Sequence, residues 1–338
     1  MRFVERIWEG NGVPERVARA VLFPFEELYR GVVAVRGQLY DRELLGSIHS
    51  SIPVISVGNL TVGGTGKTPV ANWIAGTLRE HGAKPAIVLR GYGIDEILLH
   101  RELTPGLPVI AAKDRAEGIG RAAAAGATVV VLDDAFQHRR AARDADIVIV
   151  SADRWTGSTR LLPAGPWREP LEAIGRASLV LISRKAATEE QAEEVARAIT
   201  KVAPQVPQAV IRLRMSGLAR VGDDGEQIAV SALSGKRVLA VSAVGDPVSF
   251  ARQMNLLGAA VTTLAYRDHH AFSAGDVTRI IDESEEYDMI VCTLKDAVKL
   301  RPLWRASGPG LWYVYQSIDV ESGSGSIDKL LVRSLMAK

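Results

Sequence analysis

The feature that most constrains this chain is a glycine-rich segment between an apolar strand and a helical stretch. The strand is Pro53–Val57, and the segment runs from Gly58 to the triplet Gly66-Lys67-Thr68. Glycines at a strand-to-helix turn let backbone N–H groups point inward around phosphate oxygens, and the helix N-terminus adds a favourable dipole. The sequence therefore predicts a phosphate-binding loop in an α/β fold.

The predicted loop assigns roles to its last residues. Lys67 is expected to reach the outer phosphates of a nucleotide, and the Thr68 hydroxyl is expected to bind Mg²⁺. Thr61 stands where the usual pattern has its first glycine. The loop also resembles the variant loop of the partitioning ATPases, but Val62 stands where those proteins have a signature lysine. The predicted nucleotide-binding set is Gly63, Gly64, Thr65, Gly66, Lys67 and Thr68.

A second motif predicts the metal side of a nucleotide site. Val129–Leu132 is typical of a buried strand, and Asp133 and Asp134 follow it directly. Because ligands of open α/β sheets bind at the carboxyl ends of the strands, these carboxylates should lie beside the phosphate loop. One of them, with Asp133 favoured, is expected to hold Mg²⁺ directly or through water. A polar turn without a ligand is the alternative for this motif alone.

Short apolar runs alternate with helical stretches along most of the chain, which predicts a mostly parallel sheet covered by helices on both faces. A hairpin turn is expected at Gly222–Gly225 and a flexible turn at Ser322–Ser326, before a last helix. We therefore expect an α/β protein with a P-loop domain of the NTPase type over 46–205, a short β linker over 206–230, and a second, smaller α/β domain over 231–338.

Residues 1–45 are expected to form an amphipathic helical segment, which Pro24 should kink or split. The segment has two interpretations, a helix docked on the core or a helix in a membrane interface. It carries as many acidic residues as arginines, so its attraction to anionic lipid would be weak. The apolar residues at helical spacing are Val13, Val17, Ala20, Val21, Leu28, Val32, Val35 and Leu39.

Composition excludes several classes of protein. Lys and Arg number 41 against 39 Asp and Glu, and this balance gives no reason to expect a nucleic-acid partner. The one cysteine, Cys292, excludes a disulfide framework and fits a reducing compartment. No apolar run approaches the ~20 residues of a membrane-spanning helix. We therefore expect a cytoplasmic protein or one peripheral to the cytoplasmic membrane face, with no obligate protein partner.

In its longer context, the phosphate loop resembles the signature of the tetraacyldisaccharide 4′-kinase family. Further matches to that family follow in the same order, and together they extend from residue 54 to about residue 300. The matching segments are Val57–Pro69, Arg90–Tyr92, Asp133–Arg139, Leu162–Pro170, Asp268–His270 and Thr293–Ala297.

The resemblance implies a kinase that transfers the γ-phosphoryl group of ATP to the 4′-hydroxyl of a tetraacylated glucosamine disaccharide 1-phosphate, in lipid A biosynthesis. It implies Mg²⁺ as a cofactor and a peripheral location at the cytoplasmic face of the inner membrane. It also implies an active site in the cleft between the two domains, with the N-terminal segment contacting membrane and lipid.

The same resemblance points to a catalytic base. In the family, a longer loop follows Tyr92 and precedes the motif with the proposed base, whereas here Gly93-Ile94-Asp95-Glu96 follows at once. We interpret this as a loop deletion that retains Asp95 as the base, with His269 orienting it from the second domain. A helix N-cap is the alternative role for Asp95, and Asp134 is the next candidate base. Tyr92 is expected to pack near the nucleotide or the base.

Other polar residues of the matching segments are expected around the acceptor. Arg115 and Arg168 are candidates to bind the substrate 1-phosphate or the transferring phosphoryl group, because guanidinium forks match phosphate oxygens. Gln137 and His138 are expected to shape the region of Mg²⁺ and acceptor. Lys295-Asp296 is expected to be a structural or cleft-closing pair.

Two other functions fit parts of the pattern. A membrane-associated ATPase switch of the partitioning type shares the phosphate loop, but Val62 argues against it. A soluble metabolite kinase would share the chemistry, but the proline-rich segment Leu162–Pro170 and the apolar N-terminal helix favour a lipid acceptor. A requirement for detergent-dispersed lipid would distinguish these functions from the lipid kinase.

Overall fold

The structure is a computed structural model that describes residues 3–91, 93–222, 226–304 and 309–336. Most of the predicted hairpin turn at Gly222–Gly225 lies outside these residues. The α-helices are α1 (Phe3–Glu9), α2 (Val13–Asp41), α3 (Lys67–Glu80), α4 (Ile94–Leu103), α5 (Arg115–Ala124), α6 (Glu189–Val202), α7 (Pro247–Leu256), α8 (Ala274–Glu283), α9 (Leu294–Leu300) and α10 (Ser324–Met336). The strands are β1 (Val54–Asn59), β2 (Pro85–Leu89), β3 (Val109–Ala111), β4 (Val129–Asp133), β5 (Ala145–Ser151), β6 (Leu179–Arg184), β7 (Gln208–Arg220), β8 (Gln227–Ile228), β9 (Arg237–Ser242), β10 (Ala260–Ala265), β11 (Met289–Thr293) and β12 (Leu311–Ser322).

The described strands form one sheet in the order β10-β9-β11-β12-β7-β6-β5-β1-β4-β2-β3, with β8 paired to β7. The sheet contains two parallel blocks, one from β7 to β3 and the other from β10 to β12. The blocks run in opposite directions because β12 pairs antiparallel with β7. The prediction of a mostly parallel sheet is confirmed, while the division into two domains stays a prediction.

The long pair of β7 and β12 also offsets the two blocks along the strand direction. The last residue of β6 pairs with Arg212 of β7, whereas the last residue of β11 pairs with Val314 of β12, opposite Leu218 of β7. The step from Arg212 to Leu218 spans roughly 20 Å at about 3.3 Å per residue. Because the blocks run in opposite directions, their carboxyl ends face each other across this gap.

The last helix, α10, packs on the first block although the sequence places it in the second domain. Its Ile327 and Leu331 are buried in the same cluster as Ile55 and Ile74. The reason is the direction of β12, which runs back along β7 until Ser322 lies opposite Val210. α10 begins at Ser324, so the prediction of a flexible turn through residue 326 is wrong.

The N-terminal segment forms α1 and α2, as predicted, but Pro24 does not split it. α2 continues through Pro24 from Val13 to Asp41. Pro24 and Ala20 are exposed, so water can satisfy the carbonyl group that the proline leaves without a donor. In the described part of the chain, no helix has both the length and the apolar character needed to cross a bilayer.

A buried carboxylate docks α2 on the body of the protein. Glu26 is 1% exposed and accepts a hydrogen bond from the backbone N–H of Leu161 at 2.8 Å. The guanidinium groups of Arg30 and Arg160 each lie 3.2 Å from its oxygens. The Tyr29 hydroxyl donates to the carbonyl of Arg168 at 3.0 Å. These bonds fix α2 on the proline-rich segment.

Replacing this carboxylate should weaken the fold. We expect Glu26→Leu to lower the free energy of unfolding by about 1–3 kcal/mol, because the buried N–H of Leu161 loses its acceptor. Thermal and urea unfolding measure the change. Glu27→Gln is the matched control, since Glu27 is exposed and pairs with the same Arg30. The control should change stability by less than about 0.5 kcal/mol. Equal stabilities of the two variants would contradict the docking role of Glu26.

Candidate active site

The facing carboxyl ends of the two blocks enclose a cavity of about 1040 Å³. Leu213 of β7 and Val314 of β12 contribute to its floor. Tyr92 lies outside the described residues, and Asp95 lies next to the lining residue Glu96. The predicted site residues that line the cavity are Gly63, Gly64, Thr65, Gly66, Lys67, Thr68, Arg115, Asp133, Asp134, Gln137, His138, Arg168 and His269.

The predicted phosphate loop connects β1 to α3. Gly63 and Gly66 have φ values of 107° and 91°, a region that favours glycine, and α3 begins immediately after Gly66. The Asn59 amide donates to the Thr65 hydroxyl at 2.9 Å, and the Ser183 hydroxyl donates to the Thr65 carbonyl at 3.1 Å. The loop is thus fixed from two strands.

The proline-rich segment supports the loop and adds a cation. The N–H of Val62 donates to the carbonyl of Pro166 at 2.9 Å, and the N–H of Arg168 donates to Leu60 at 2.7 Å. The Arg168 guanidinium lies 3.0 Å from Asp134, whose Oδ1 is 3.9 Å from Lys67 Nζ. Burial lowers the pKa of Lys67, and the Asp134 carboxylate opposes that effect. Two cations therefore converge on Asp134 beside the glycine-rich loop.

Asp133 ends β4 and lies against the start of α3, as predicted. Its Oδ2 accepts a hydrogen bond from the Thr68 hydroxyl at 3.0 Å and lies 3.0 Å from His100 Nε2. Burial alone would raise the pKa of Asp133, but His100, Lys67 and Thr68 lower it below its usual value. Among the described residues, none hydrogen-bonds to its buried Oδ1. That oxygen is available to a metal ion or a water molecule.

Asp95 lies in the first turn of α4, and Gly93 occupies the N-cap position. The alternative that Asp95 is the helix N-cap is therefore wrong, because the helix begins earlier than that alternative requires. Asp95 Oδ2 lies 3.6 Å from Nδ1 of His269, which belongs to the opposite block. The His269 ring lowers the pKa of Asp95, while partial burial opposes this. The carboxylate is thus ionised at neutral pH.

Lys295 determines how His269 faces Asp95. Its ammonium group donates to Asp268 at 3.0 Å and lies 3.2 Å from His269 Nε2. Since an ammonium group only donates, Nε2 accepts and Nδ1 carries the proton that faces Asp95. The Nε2 of His270 instead lies 3.2 Å from Asp276 in the first turn of α8. Of these two histidines, His269 is the one that lies against Asp95, and Lys295 has an orienting position that the sequence did not reveal.

The remaining predicted residues lie along another wall of the cavity. Arg115 is buried at the start of α5 and donates to the carbonyl of Ala112 at 3.0 Å. The Gln137 amide donates to the carbonyl of Asn59 at 2.8 Å, which ties this wall to the phosphate loop. Burial and the Arg115 charge lower the pKa of His138. In the described ranges, the buried Nε2 of His138 has no hydrogen-bonding partner.

Comparison with known proteins identifies the family of this chain. The family model described as tetraacyldisaccharide-1-P 4′-kinase, LpxK, matches residues 18–97 and 93–335. The chain belongs to this family. The two matched segments overlap at residues 93–97, next to the place where the sequence predicts a shortened loop.

Relatives match over nearly their whole length. A tetraacyldisaccharide 4′-kinase of Anaeromyxobacter dehalogenans (strain 2CP-1) is 37% identical and matches over 92% of this chain and 89% of its own. One from Syntrophus aciditrophicus is 34% identical, over 90% and 91%. The crystal structure of LpxK from Aquifex aeolicus in complex with ATP has a TM-score of 0.72 and 28% identity, over 94% of this chain and 99% of that one. The predicted P-loop α/β fold is confirmed.

The phosphate loop provides a direct test of the site. We expect Lys67→Ala to leave a folded protein with little phosphoryl transfer, because the lysine charge stabilises the outer phosphates in the transition state. The activation free energy should rise by several kcal/mol, which is measured as a lower turnover of the purified protein. Lys84→Ala, which alters an exposed lysine, is the control. Near-normal turnover of Lys67→Ala would overturn the assignment of the loop.

Proposed function

We infer that this protein is an ATP-dependent kinase that phosphorylates the 4′-hydroxyl of a tetraacyldisaccharide 1-phosphate in lipid A biosynthesis. Family membership supports the reaction. The observation that carries the mechanism is the pair of Asp95 and His269, which meet across a cavity whose wall is the phosphate loop. The block from β7 to β3 thus carries the proposed nucleotide site. The proposed base, Asp95, is contacted by His269 from the other block.

We propose that the site uses Mg²⁺ with ATP. The described residues contain no cluster of three or more His, Cys, Asp or Glu side chains suited to a metal ion. Mg²⁺ needs no such cluster beside a nucleotide, because it binds one or two carboxylates together with phosphate oxygens and water. Asp133 Oδ1 and the Thr68 hydroxyl fit that donor set, with Asp134 nearby. When bound, the ion would neutralise charge on the phosphates.

Asp95 is the proposed general base. An ionised carboxylate within hydrogen-bond reach of the acceptor hydroxyl can take its proton as the oxygen attacks the γ-phosphorus. The His269 ring lowers the pKa of the Asp95 carboxyl, which favours its ionised form. Asp134 is the weaker candidate, because Arg168 and Lys67 already surround it.

Two sets of basic side chains are proposed to bind two different groups, the transferring phosphoryl group and the 1-phosphate of the lipid substrate. We propose that Lys67 and Arg168 bind the transferring phosphoryl group, since they converge at Asp134. Arg115 and His138 are proposed to bind the substrate 1-phosphate on the neighbouring wall, with Gln137 fixing that wall to the phosphate loop. A substrate contact by Tyr92 stays a prediction.

We also propose that α2 places the protein on the cytoplasmic face of the inner membrane. One side of α2 docks on the protein, while an apolar stripe on another side, each residue more than half exposed, extends roughly 33 Å at about 1.5 Å per residue. An exposed stripe of this size suits a membrane interface, where acylated substrates reside. The stripe consists of Val13, Val17, Val21, Phe25, Leu28, Val32 and Val35.

Charges placed in the apolar stripe should release the protein from lipid. We expect the double variant Leu28→Glu/Val32→Glu to bind phospholipid vesicles less and to have a raised apparent KM for dispersed lipid substrate, with ATP affinity unchanged. Sedimentation with vesicles measures the binding. The matched control is Ala34→Glu/Gln38→Glu, which adds the same charge at exposed positions of α2 off the stripe. Equal sedimentation of both variants would exclude the stripe as the contact.

The base assignment predicts a large effect on turnover. Asp95→Asn should lower kcat by roughly 10²–10⁴-fold, the range for lost acid–base assistance, and leave ATP affinity nearly intact. His269→Ala should also lower kcat, and the double variant should be far less impaired than the product of the single effects if the pair acts as one unit. Glu117→Gln, an exposed carboxylate in the first turn of α5, is the control. Wild-type kcat in Asp95→Asn, with activity abolished in Asp134→Asn, would move the base to Asp134.

An assay of phosphate transfer from ATP to the lipid substrate tests the proposed function. Purified protein with ATP, Mg²⁺ and a detergent-dispersed tetraacyldisaccharide 1-phosphate should yield the disaccharide with a second phosphate at the 4′ position, detected by mass spectrometry. ATP hydrolysis without transfer to the lipid would favour the ATPase switch. Transfer to water-soluble acceptors alone would favour the metabolite kinase.

A further inference from the structure

Helix α4 carries a buried histidine to which the proposed mechanism gives no role. His100 lies in the same helix as Asp95 and is 0% exposed. Its Nε2 is 3.0 Å from Asp133 Oδ2, and its Nδ1 is 2.8 Å from the amide nitrogen of Asn72. The helix that presents the proposed base therefore contacts the proposed metal carboxylate through one side chain.

The neighbours of His100 fix the position of its proton. The Asn72 amide nitrogen lies 2.7 Å from the carbonyl of Thr68, which only accepts, so this end of the amide is the donor. The Thr104 hydroxyl lies 2.6 Å from the Asn72 oxygen, which completes the orientation. Asn72 therefore donates to His100 Nδ1, and Nε2–H donates to Asp133 Oδ2.

This hydrogen bond orients the Asp133 carboxylate. Oδ2 is held by His100 and by the Thr68 hydroxyl, while Oδ1 has no hydrogen-bonding partner in the described part of the chain. With one oxygen bound on two sides, the carboxylate has little freedom to rotate. The oxygen that remains is the one proposed to face the metal.

The opposite side of α4 is fixed to the second block. Glu102 and Arg301 form a two-bonded ion pair at 3.0 and 3.1 Å, and Leu99 packs with Leu294 and Val298. His100 ties this helix to the Asp133 side of the cleft, and the Thr104 hydroxyl at the end of α4 adds a bond to Asn72 of α3. Five residues, about 7.5 Å of helix, separate it from Asp95. A shift of α4 that moved Asp95 would therefore also break the bond to Asp133.

We propose that His100 is a positioning residue, which aims Asp133 at the metal and holds α4 so that Asp95 stands at a fixed distance from the phosphate loop. The proposal rests on the metal role of Asp133 and the base role of Asp95 given above. Hydrogen-bonding partners of ligating carboxylates typically contribute 10–100-fold to metal affinity or activity.

The test uses two readouts, turnover and Mn²⁺ binding to the ATP-loaded protein. Electron paramagnetic resonance measures the Mn²⁺ binding. Leucine fills much of the space of histidine without hydrogen bonds, so His100→Leu should weaken Mn²⁺ binding and lower kcat, each by roughly 10–100-fold. ATP affinity in EDTA should stay within about twofold. His100→Gln, whose amide offers an N–H near the position of Nε2, should recover most of both losses. Hydrogen exchange of the α4 amides should rise in His100→Leu and return towards wild type in His100→Gln.

The outcomes separate this proposal from the one on which it rests. If Asp133→Asn binds Mn²⁺ as the wild type does, the metal assignment fails. If Asp133→Asn loses Mn²⁺ while His100→Leu binds Mn²⁺ and turns over normally, the role of His100 alone is overturned. Should His100→Leu not fold, Asn72→Ala replaces it, because it removes the group that orients the imidazole. Wild-type Mn²⁺ affinity and kcat in a folded Asn72→Ala variant would equally overturn the proposal.

Discussion

The antiparallel pairing of β7 with β12 is the constraint on which the site depends. It reverses the direction of the second block and displaces it, so that the carboxyl ends of two parallel blocks face one cavity. A parallel continuation of the sheet would place all carboxyl ends along one edge. Because side chains alternate along a strand, a slip of β12 by one residue against β7 would turn Val314 away from the cavity floor while Leu213 stayed on it.

A network of buried polar groups fixes the positions of side chains that line the cavity. Thr68, Asn72, His100 and Asp133 form a continuous network in which most hydrogen-bonding groups have partners. Such networks are rigid because an unpaired buried group costs about 1–3 kcal/mol. Among the residues that the structure describes, the exception in this network is Asp133 Oδ1, the oxygen that the proposed mechanism assigns to the metal ion.

Local sequence patterns predicted the parts of the fold that depend on neighbouring residues. The strand before Gly58 and the helix after Gly66 follow from apolar runs and glycine positions, and both are present. The pairing of β7 with β12 and the return of α10 join distant segments, so no local pattern reports them. His100 was missed because a single histidine in a helix has no spacing signal. The sequence motif named His269, but the Lys295 contact that orients its ring depends on the tertiary fold and has no local signal.

In the proposed mechanism, the cleft aligns an acceptor hydroxyl, held at Asp95, with the terminal phosphate of a nucleotide on the loop before α3. A crystal structure with a non-hydrolysable ATP analogue, Mg²⁺ and a tetraacyldisaccharide 1-phosphate tests this most directly. We expect the 4′-hydroxyl to lie within hydrogen-bonding distance of Asp95 and in line with the γ-phosphorus. A 4′-hydroxyl bound beside Asp134, with Asp95 turned away from the acceptor, would rule out Asp95 as the base.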